Sequence, residues 1–164
     1  MLTLRCTRAV GARLHLPENL PLPQASSGVL GDWYVQLVRI GHVQLILATS
    51  ERSLLTVLLP ARDLRKNLAQ NMRTAVAALL EALDVSPESV RREIAAMEPI
   101  AFGCAENRKI LGSMNDFAFQ ARIQVAAGEA DLLAVARRLA ETPMSAIGLQ
   151  EPSLPTLAPR THGR

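Results

Sequence analysis

Two short segments concentrate the residue types that could bind or transform another molecule. Residues 30–34 read LGDWY and hold an aspartate beside the only tryptophan and the only tyrosine of the chain. Residues 107–120 read NRKILGSMNDFAFQ and combine small polar residues with two of the three phenylalanines. Aromatic rings beside a few convergent polar groups are typical of ligand pockets and protein interfaces. With one arginine from a nearby connection, the candidate ligand- or partner-binding residues are Asp32, Trp33, Tyr34, Arg52, Asn107, Arg108, Ser113, Asn115, Asp116 and Phe119.

Asp32 admits a structural and a functional interpretation. In the structural one, an aspartate that follows Gly31 accepts a free backbone N–H in a turn, while the rings of Trp33 and Tyr34 fill the edge of a sheet. In the functional one, the carboxylate anchors a polar ligand or a partner peptide beside an aromatic surface. The sequence leaves both open.

The polar residues at positions 113–116 admit the same two interpretations. Small polar side chains weaken the middle of a helix because they compete for its backbone hydrogen bonds, so their presence requires a tertiary role. A buried network in which Asp116 bonds near Arg52 or Asn107 would supply that role. Alternatively, Asp116 and Asp32 together could hold a divalent cation or act as acid and base.

Two other features of this segment require an explanation. Gly112 costs a helix about 1 kcal/mol relative to alanine, so we expect another group to lie close to its backbone. Arg108 and Lys109 stand at the expected start of the helix, where the helix dipole favours anions. They indicate either a bound anion or a solvated helix end.

The signatures of common enzyme classes are absent from the sequence. His15, His42 and His162 fall in a proline-rich loop, at a hairpin tip and near the last residue, which disfavours a Ser-His-Asp or Cys-His mechanism. No CxxC, HExxH, GxxxxGK[ST] or GxGxxG pattern occurs. We therefore expect no metal, no cofactor and no catalytic residue, and a binding protein is favoured over an enzyme.

The overall charge gives little support to nucleic-acid binding. The sequence pI is near 9.4 with 18 basic and 15 acidic residues, but two of the basic residues lie in the last five positions. The preceding chain is thus close to neutral, so a phosphate-binding surface is disfavoured. Two cysteines, no signal-peptide pattern and no apolar run long enough for a bilayer predict a cytoplasmic protein, with two reduced, buried thiols and no membrane partner.

Hydrophobic periodicity predicts the elements that would position these residues. Residues 1–6 alternate as a half-buried strand, Thr7 can cap a helix that reaches residue 14, and the proline-rich residues 15–28 form a loop that is mobile or covers a site. Residues 32–40 and 43–48 form a hairpin around Gly41 and His42. This turn predicts a register that pairs Ile40 with Val43 and continues residue by residue to Trp33 with Ser50. Both faces of the hairpin are apolar, so we expect the sheet to be covered on both sides.

The remaining elements follow from apolar runs, caps and prolines. They are a third strand of a meander at 54–59, helices at 64–83 and 87–97, an edge strand at 100–104, a helix capped by Asn107 and a helix at 131–141. Together they predict an α+β fold with a small, mostly antiparallel sheet covered by four to five helices. Residues 1–148 would form a single domain, and residues 149–164 a disordered, proline-rich tail.

Five ordered blocks carry a family resemblance. These are MLTLRCT, LGDWY with a strand ending in RIG, TSERSLL followed by LLPA, NRKILGSMNDFAF, and RRLAETP. Over residues 1–148 the chain resembles an uncharacterised bacterial family, the domain of unknown function 6933. The resemblance implies a compact cytoplasmic bacterial domain and supplies no activity, cofactor or catalytic residue.

The favoured function is a non-enzymatic binding or protein-interaction module for an unknown protein or a small polar ligand. Its site would be formed by residues 32–34 and the helix turn at 113–119. One alternative is a hydrolase or nuclease in which Asp32, Glu51 or Asp116 and a metal ion meet at a common point. Another is an antitoxin-like regulator whose tail orders on a partner.

Overall fold

A five-stranded sheet forms the centre of the domain. The computed structural model describes residues 1–141. Its strands are β1 (Leu2–Cys6), β2 (Trp33–Ile40), β3 (Val43–Ser50), β4 (Thr56–Pro60) and β5 (Ile100–Cys104). They lie in the order β4-β3-β2-β1-β5, which places β1 between β2 and β5 and leaves β5 at the edge. The predicted edge position of β5 is therefore confirmed.

The hairpin of β2 and β3 has the register that its turn predicts. Ile40 lies opposite Val43, and the antiparallel pairing continues without interruption to Trp33 and Ser50. Gly41 adopts a φ of 59°, a left-handed conformation that glycine takes at little cost. Both strands are largely buried away from the turn, so the expected cover on both sides of the sheet is confirmed.

The sheet is mixed, and the expectation of a mostly antiparallel sheet is wrong. β1 pairs in parallel with β2 on one side and with β5 on the other, while β2, β3 and β4 are antiparallel. Parallel neighbours require a crossover connection rather than a tight turn. A helix and a long loop separate β1 from β2, and two helices separate β4 from β5. The α+β class itself holds.

Within residues 1–141, five helices pack around the sheet. They are α1 (Arg8–Leu14), α2 (Leu64–Ala82), α3 (Pro87–Ala96), α4 (Arg108–Ala126) and α5 (Leu132–Ala140). α4 packs on β2 and β3 and contacts α5, whereas α1 contacts β1, β2 and α2. The Ser86 and Asn107 side chains accept backbone N–H groups as helix caps, but the Thr7 side chain makes no capping bond.

The core is mostly aliphatic, in line with an aromatic content of only 3%, although Trp33 and Phe117 are also fully buried. Ile46, Leu47, Leu79 and Leu80 are among its fully buried side chains. The C-terminal limit expected at residue 148 and the tail expected at 149–164 lie outside the described residues.

Candidate functional site

Asp32 has a structural role within the fold. Its carboxylate is buried and accepts the backbone N–H of Ser26 at 2.8 Å and the Nε–H of Arg5 at 2.9 Å. One side chain thus joins the long loop before β2 to strand β1, which lies between β2 and β5. Both carboxylate oxygens have partners within the fold, as the structural interpretation of Asp32 requires.

The residues around Asp32 are equally enclosed. Trp33 and Tyr34 are buried rather than exposed as an aromatic surface. Gly31 has a φ of 75°, and a β-carbon there would lie 2.9 Å from Cγ of Arg52. The Arg52 side chain therefore covers the turn, and its guanidinium donates to the carbonyl of Val29 at 3.4 Å.

Tyr34 connects this region to the start of α4. Burial raises the pKa of the Tyr34 phenol above its ordinary value, and the negative charges of Glu51 and Asp32 raise it further. The positive charge of Arg5 and a backbone hydrogen bond from Asn107 oppose that rise in the pKa. Asp32, Tyr34 and Asn107 are thus neighbours, and the structure brings together this part of the predicted site.

The turn at 113–119 does not complete a pocket with them. Asn115, Asp116 and Phe119 are exposed on α4. At the helical rise, Asn115 lies about 12 Å along the axis from Asn107. Asp116 is therefore outside any buried network, and the expected bond near Arg52 or Asn107 is not formed.

The other α4 candidates have structural roles or face solvent. Ser113 is buried, and its hydroxyl donates to the carbonyl of Lys109 at 3.2 Å within the helix. Arg108 is exposed at the first turn. A β-carbon added at Gly112 meets no heavy atom within 4 Å, so the expected close neighbour of this glycine does not exist. Among residues 1–141, no buried side-chain nitrogen or oxygen lacks a hydrogen-bond partner.

A second carboxylate, which sequence reasoning missed, holds the same loop. Glu93 on α3 is buried and accepts the backbone N–H of Val29 at 2.7 Å and of Leu30 at 3.2 Å. A β-carbon at Gly28 would collide with its carboxylate. The available signal was a glutamate at helical spacing from Val90 and Met97, which are buried on the same helix face.

The concave feature with the richest chemistry lies elsewhere. A cleft of about 760 Å³, here called the α1 cleft, opens at the carboxyl ends of the parallel strands β1 and β5. Its walls come from α1 and from the first residues of the proline-rich loop. The residues on which its chemistry depends are Cys6, Arg8, Gly11, His15, Glu18 and Cys104. None of the ten candidate residues lines it.

The two thiols of the α1 cleft differ in exposure. Cys6 is buried, and its S–H points to the carbonyl of Leu4 at 3.7 Å. Burial, together with the nearby Cys104, raises the pKa of the Cys6 thiol to about 12. Cys104 is exposed, so the expectation of two buried thiols is wrong for this residue. An edge strand that ends in solvent explains the difference.

The part of the chain that the structure describes offers no clustered metal ligands. No three or more His, Cys, Asp or Glu side chains of residues 1–141 are grouped to hold a metal ion. Within the same residues, no helix is long and apolar enough to cross a membrane.

Comparison with known proteins identifies the family. No curated protein and no solved structure matches the chain significantly. The family model for the domain of unknown function DUF6933 matches residues 3–153, which is most of the chain. The chain therefore belongs to the DUF6933 family.

Proposed function

We propose that this chain is a non-enzymatic binding module for a small polar molecule, and that the α1 cleft is its binding site. The observation that carries the proposal is the position of the cleft at the carboxyl ends of adjacent parallel strands. Helices and loops that follow parallel strands leave a crevice there, where ligands commonly bind. The cleft volume of about 760 Å³ is within the range of small-molecule sites.

The walls of the cleft suit a polar ligand with an apolar part. Arg8 and Glu18 bring charges of opposite sign, and neither forms an ion pair with another residue of 1–141. His15 adds an imidazole whose Nδ1 lies 3.5 Å from a guanidinium nitrogen of Arg65. Leu16 and Leu20 supply apolar surface. A second groove of about 300 Å³ along β4 is lined mainly by aliphatic side chains and offers fewer polar groups.

The α1 cleft replaces the binding site expected from residues 30–34 and 107–120. Their buried polar groups support the fold, and their exposed members lie on the outer surface of α4. The alternative of a hydrolase or nuclease that uses carboxylates and a metal ion gains no support. Asp32 forms an ion pair with Arg5, and Asp116 is exposed on α4, away from Asp32. We place the module in the bacterial cytoplasm, in line with the family resemblance and with its free thiols.

Two glycine variants test the proposal. Gly11 lines the cleft and Gly112 lies on α4, and a β-carbon added at either meets open space. Gly11→Phe should fill the cleft, while Gly112→Phe provides a matched control in another helix. The probes are amino acids, dicarboxylic acids, nucleosides and polyamines, added singly to isotope-labelled protein and followed by amide NMR shifts.

We expect at least one probe to shift the amides of Arg8, Gly11 and His15. Gly11→Phe should abolish that shift and Gly112→Phe should retain it. Shifts that map to α4, or a probe panel that leaves the cleft amides unmoved, would overturn the assignment.

A further inference from the structure

The α1 cleft brings together the two cysteines of the chain, which are far apart in sequence. Cys6 ends β1, Cys104 ends β5, and the two residues are direct partners in the parallel register. Partners in adjacent strands point to the same face of the sheet, about 4.8 Å apart along the hydrogen-bonding direction. This spacing falls within the Cα separation of about 4.4 to 6.8 Å that a disulfide spans.

The environments of the two thiols assign them different roles. Cys104 is exposed at the sheet edge and can meet a reagent from solvent. Cys6 is 6% exposed and lies behind it in the same cleft. Arg8 also lines the cleft and brings positive charge to its wall, where an anionic disulfide such as oxidised glutathione would approach. An exposed cysteine that attacks a disulfide, with a buried cysteine beside it that resolves the mixed disulfide, is an arrangement suited to thiol–disulfide exchange.

We propose that Cys104 and Cys6 form a reactive dithiol that exchanges with low-molecular-weight disulfides, Cys104 being the site of attack and Cys6 the resolving thiol. The Cys104 thiolate attacks one sulfur of the external disulfide, whose S–S bond breaks and releases one thiolate. The sulfur of Cys6 then attacks the Cys104 sulfur of the mixed disulfide and forms the Cys6–Cys104 bond. Its proton goes to the second leaving thiolate. The dithiol loses two electrons, and the external disulfide gains them.

The high pKa of Cys6 sets the pace of the second step. Its thiolate is scarce at neutral pH, which slows the attack of Cys6 on the mixed disulfide. The charge of Cys104 contributes to that pKa and disappears once the mixed disulfide forms, so part of the rise is then relieved. The chemistry is independent of whether the cleft also holds a small polar molecule.

Oxidised glutathione is a suitable probe, with intact-mass spectrometry after acid quenching as the readout. Wild-type protein should gain one glutathionyl group transiently and then lose it as the internal disulfide forms. Cys6→Ala should stop at the mixed disulfide, and Cys104→Ser should gain no adduct on the same time scale. Cys6→Val provides a second resolving-thiol variant if the alanine does not fold, and circular dichroism checks each fold.

Each alternative result counts against the proposal. A wild-type protein that stops at the mixed disulfide would show that Cys6 does not resolve it. Equal modification of wild-type and Cys104→Ser protein would show that Cys104 is not the attacked residue. Absence of any reaction with oxidised glutathione would show that the two cysteines are not a reactive dithiol. Because this readout needs no bound ligand, failure of the probe panel in the NMR experiment leaves it intact, and the reverse also holds.

Discussion

Two ion pairs with the same bond length provide a sharp test of the structural role of Asp32. Arg5 to Asp32 and Arg92 to Glu88 both have a nitrogen to oxygen distance of 2.9 Å. The side chains of the first pair are 20% and 5% exposed, and those of the second are 72% and 74% exposed. Burial is therefore the main variable that distinguishes Asp32→Asn from the matched control Glu88→Gln.

The expected losses differ severalfold. The side-chain amide introduced by Asp32→Asn would keep one oxygen for the N–H of Ser26, but its nitrogen would face Arg5, donor against donor, and leave a part-buried guanidinium without its counter-charge. Breaking one partner of a buried pair costs about 3 to 5 kcal/mol, and the residual exposure of Arg5 reduces this to about 2 to 4 kcal/mol. The exposed pair contributes about 0 to 1 kcal/mol, so Glu88→Gln should change stability by less than about 0.5 kcal/mol.

Urea unfolding of the three proteins, followed by circular dichroism, measures both losses. An Asp32→Asn variant that loses less than about 1 kcal/mol would refute the structural role of Asp32. A loss that small is what we would expect of a carboxylate that binds a ligand and is not required for folding. A double variant with Arg5→Met separates the pair itself from the hydrogen bond to Ser26. If Asp32→Asn still costs as much in the Arg5→Met background, the ion pair does not account for the loss.

Two further predictions concern pH and backbone conformation. Folding raises the pKa of Cys6 from about 9 to about 12, so the folded state binds more protons than the unfolded state between these values, and stability falls as the pH rises through that window. Urea unfolding at roughly pH 8 and pH 10.5 should differ by about 2 kcal/mol from this thiol, and Cys6→Ala should remove that part of the pH dependence. Gly112→Ala should raise the stability by about 0.5 to 1 kcal/mol, because α4 has open space there. Gly31→Ala should lower the stability by about 1 kcal/mol or more, because φ at this position is 75° and the added carbon meets Arg52. Thermal melts of the two glycine variants check both expectations. A higher melting temperature for Gly31→Ala than for Gly112→Ala would contradict the backbone conformations described for these two glycines.

Local signals determined which parts of the fold were predictable from sequence. Gly41 at a two-residue turn fixes the pairing of β2 with β3, so every pair of that hairpin could be predicted. No local signal links β1 to β2 or to β5, because their pairing depends on crossovers through helices. The parallel half of the sheet was missed for that reason, and with it the approach of Cys6 to Cys104.

The candidate residues mark the difference between unusual composition and an available surface. Asp32, Tyr34 and Ser113 stand out in the sequence because polar groups are rare in apolar elements, and such groups must be hydrogen-bonded once they are buried. The same requirement engages their polar atoms within the fold. Asp32 holds the loop that leads into β2, and Ser113 bonds its own helix. These polar residues stand out in the sequence because a sheet that is covered on both faces makes the residues around them apolar.

The cleft residues show the opposite relation. An arginine at the start of a short helix, a histidine at its end and two distant cysteines are each ordinary in sequence. Topology makes them a site, since the parallel pairing of β1 with β5 ends two strands at one crevice and α1 closes its side. Side chains there are not needed to satisfy the core, which leaves Arg8 and Glu18 without ion-pair partners among residues 1–141. In this fold, the groups free to act on another molecule are therefore found where the backbone leaves space, at the carboxyl ends of its parallel strands.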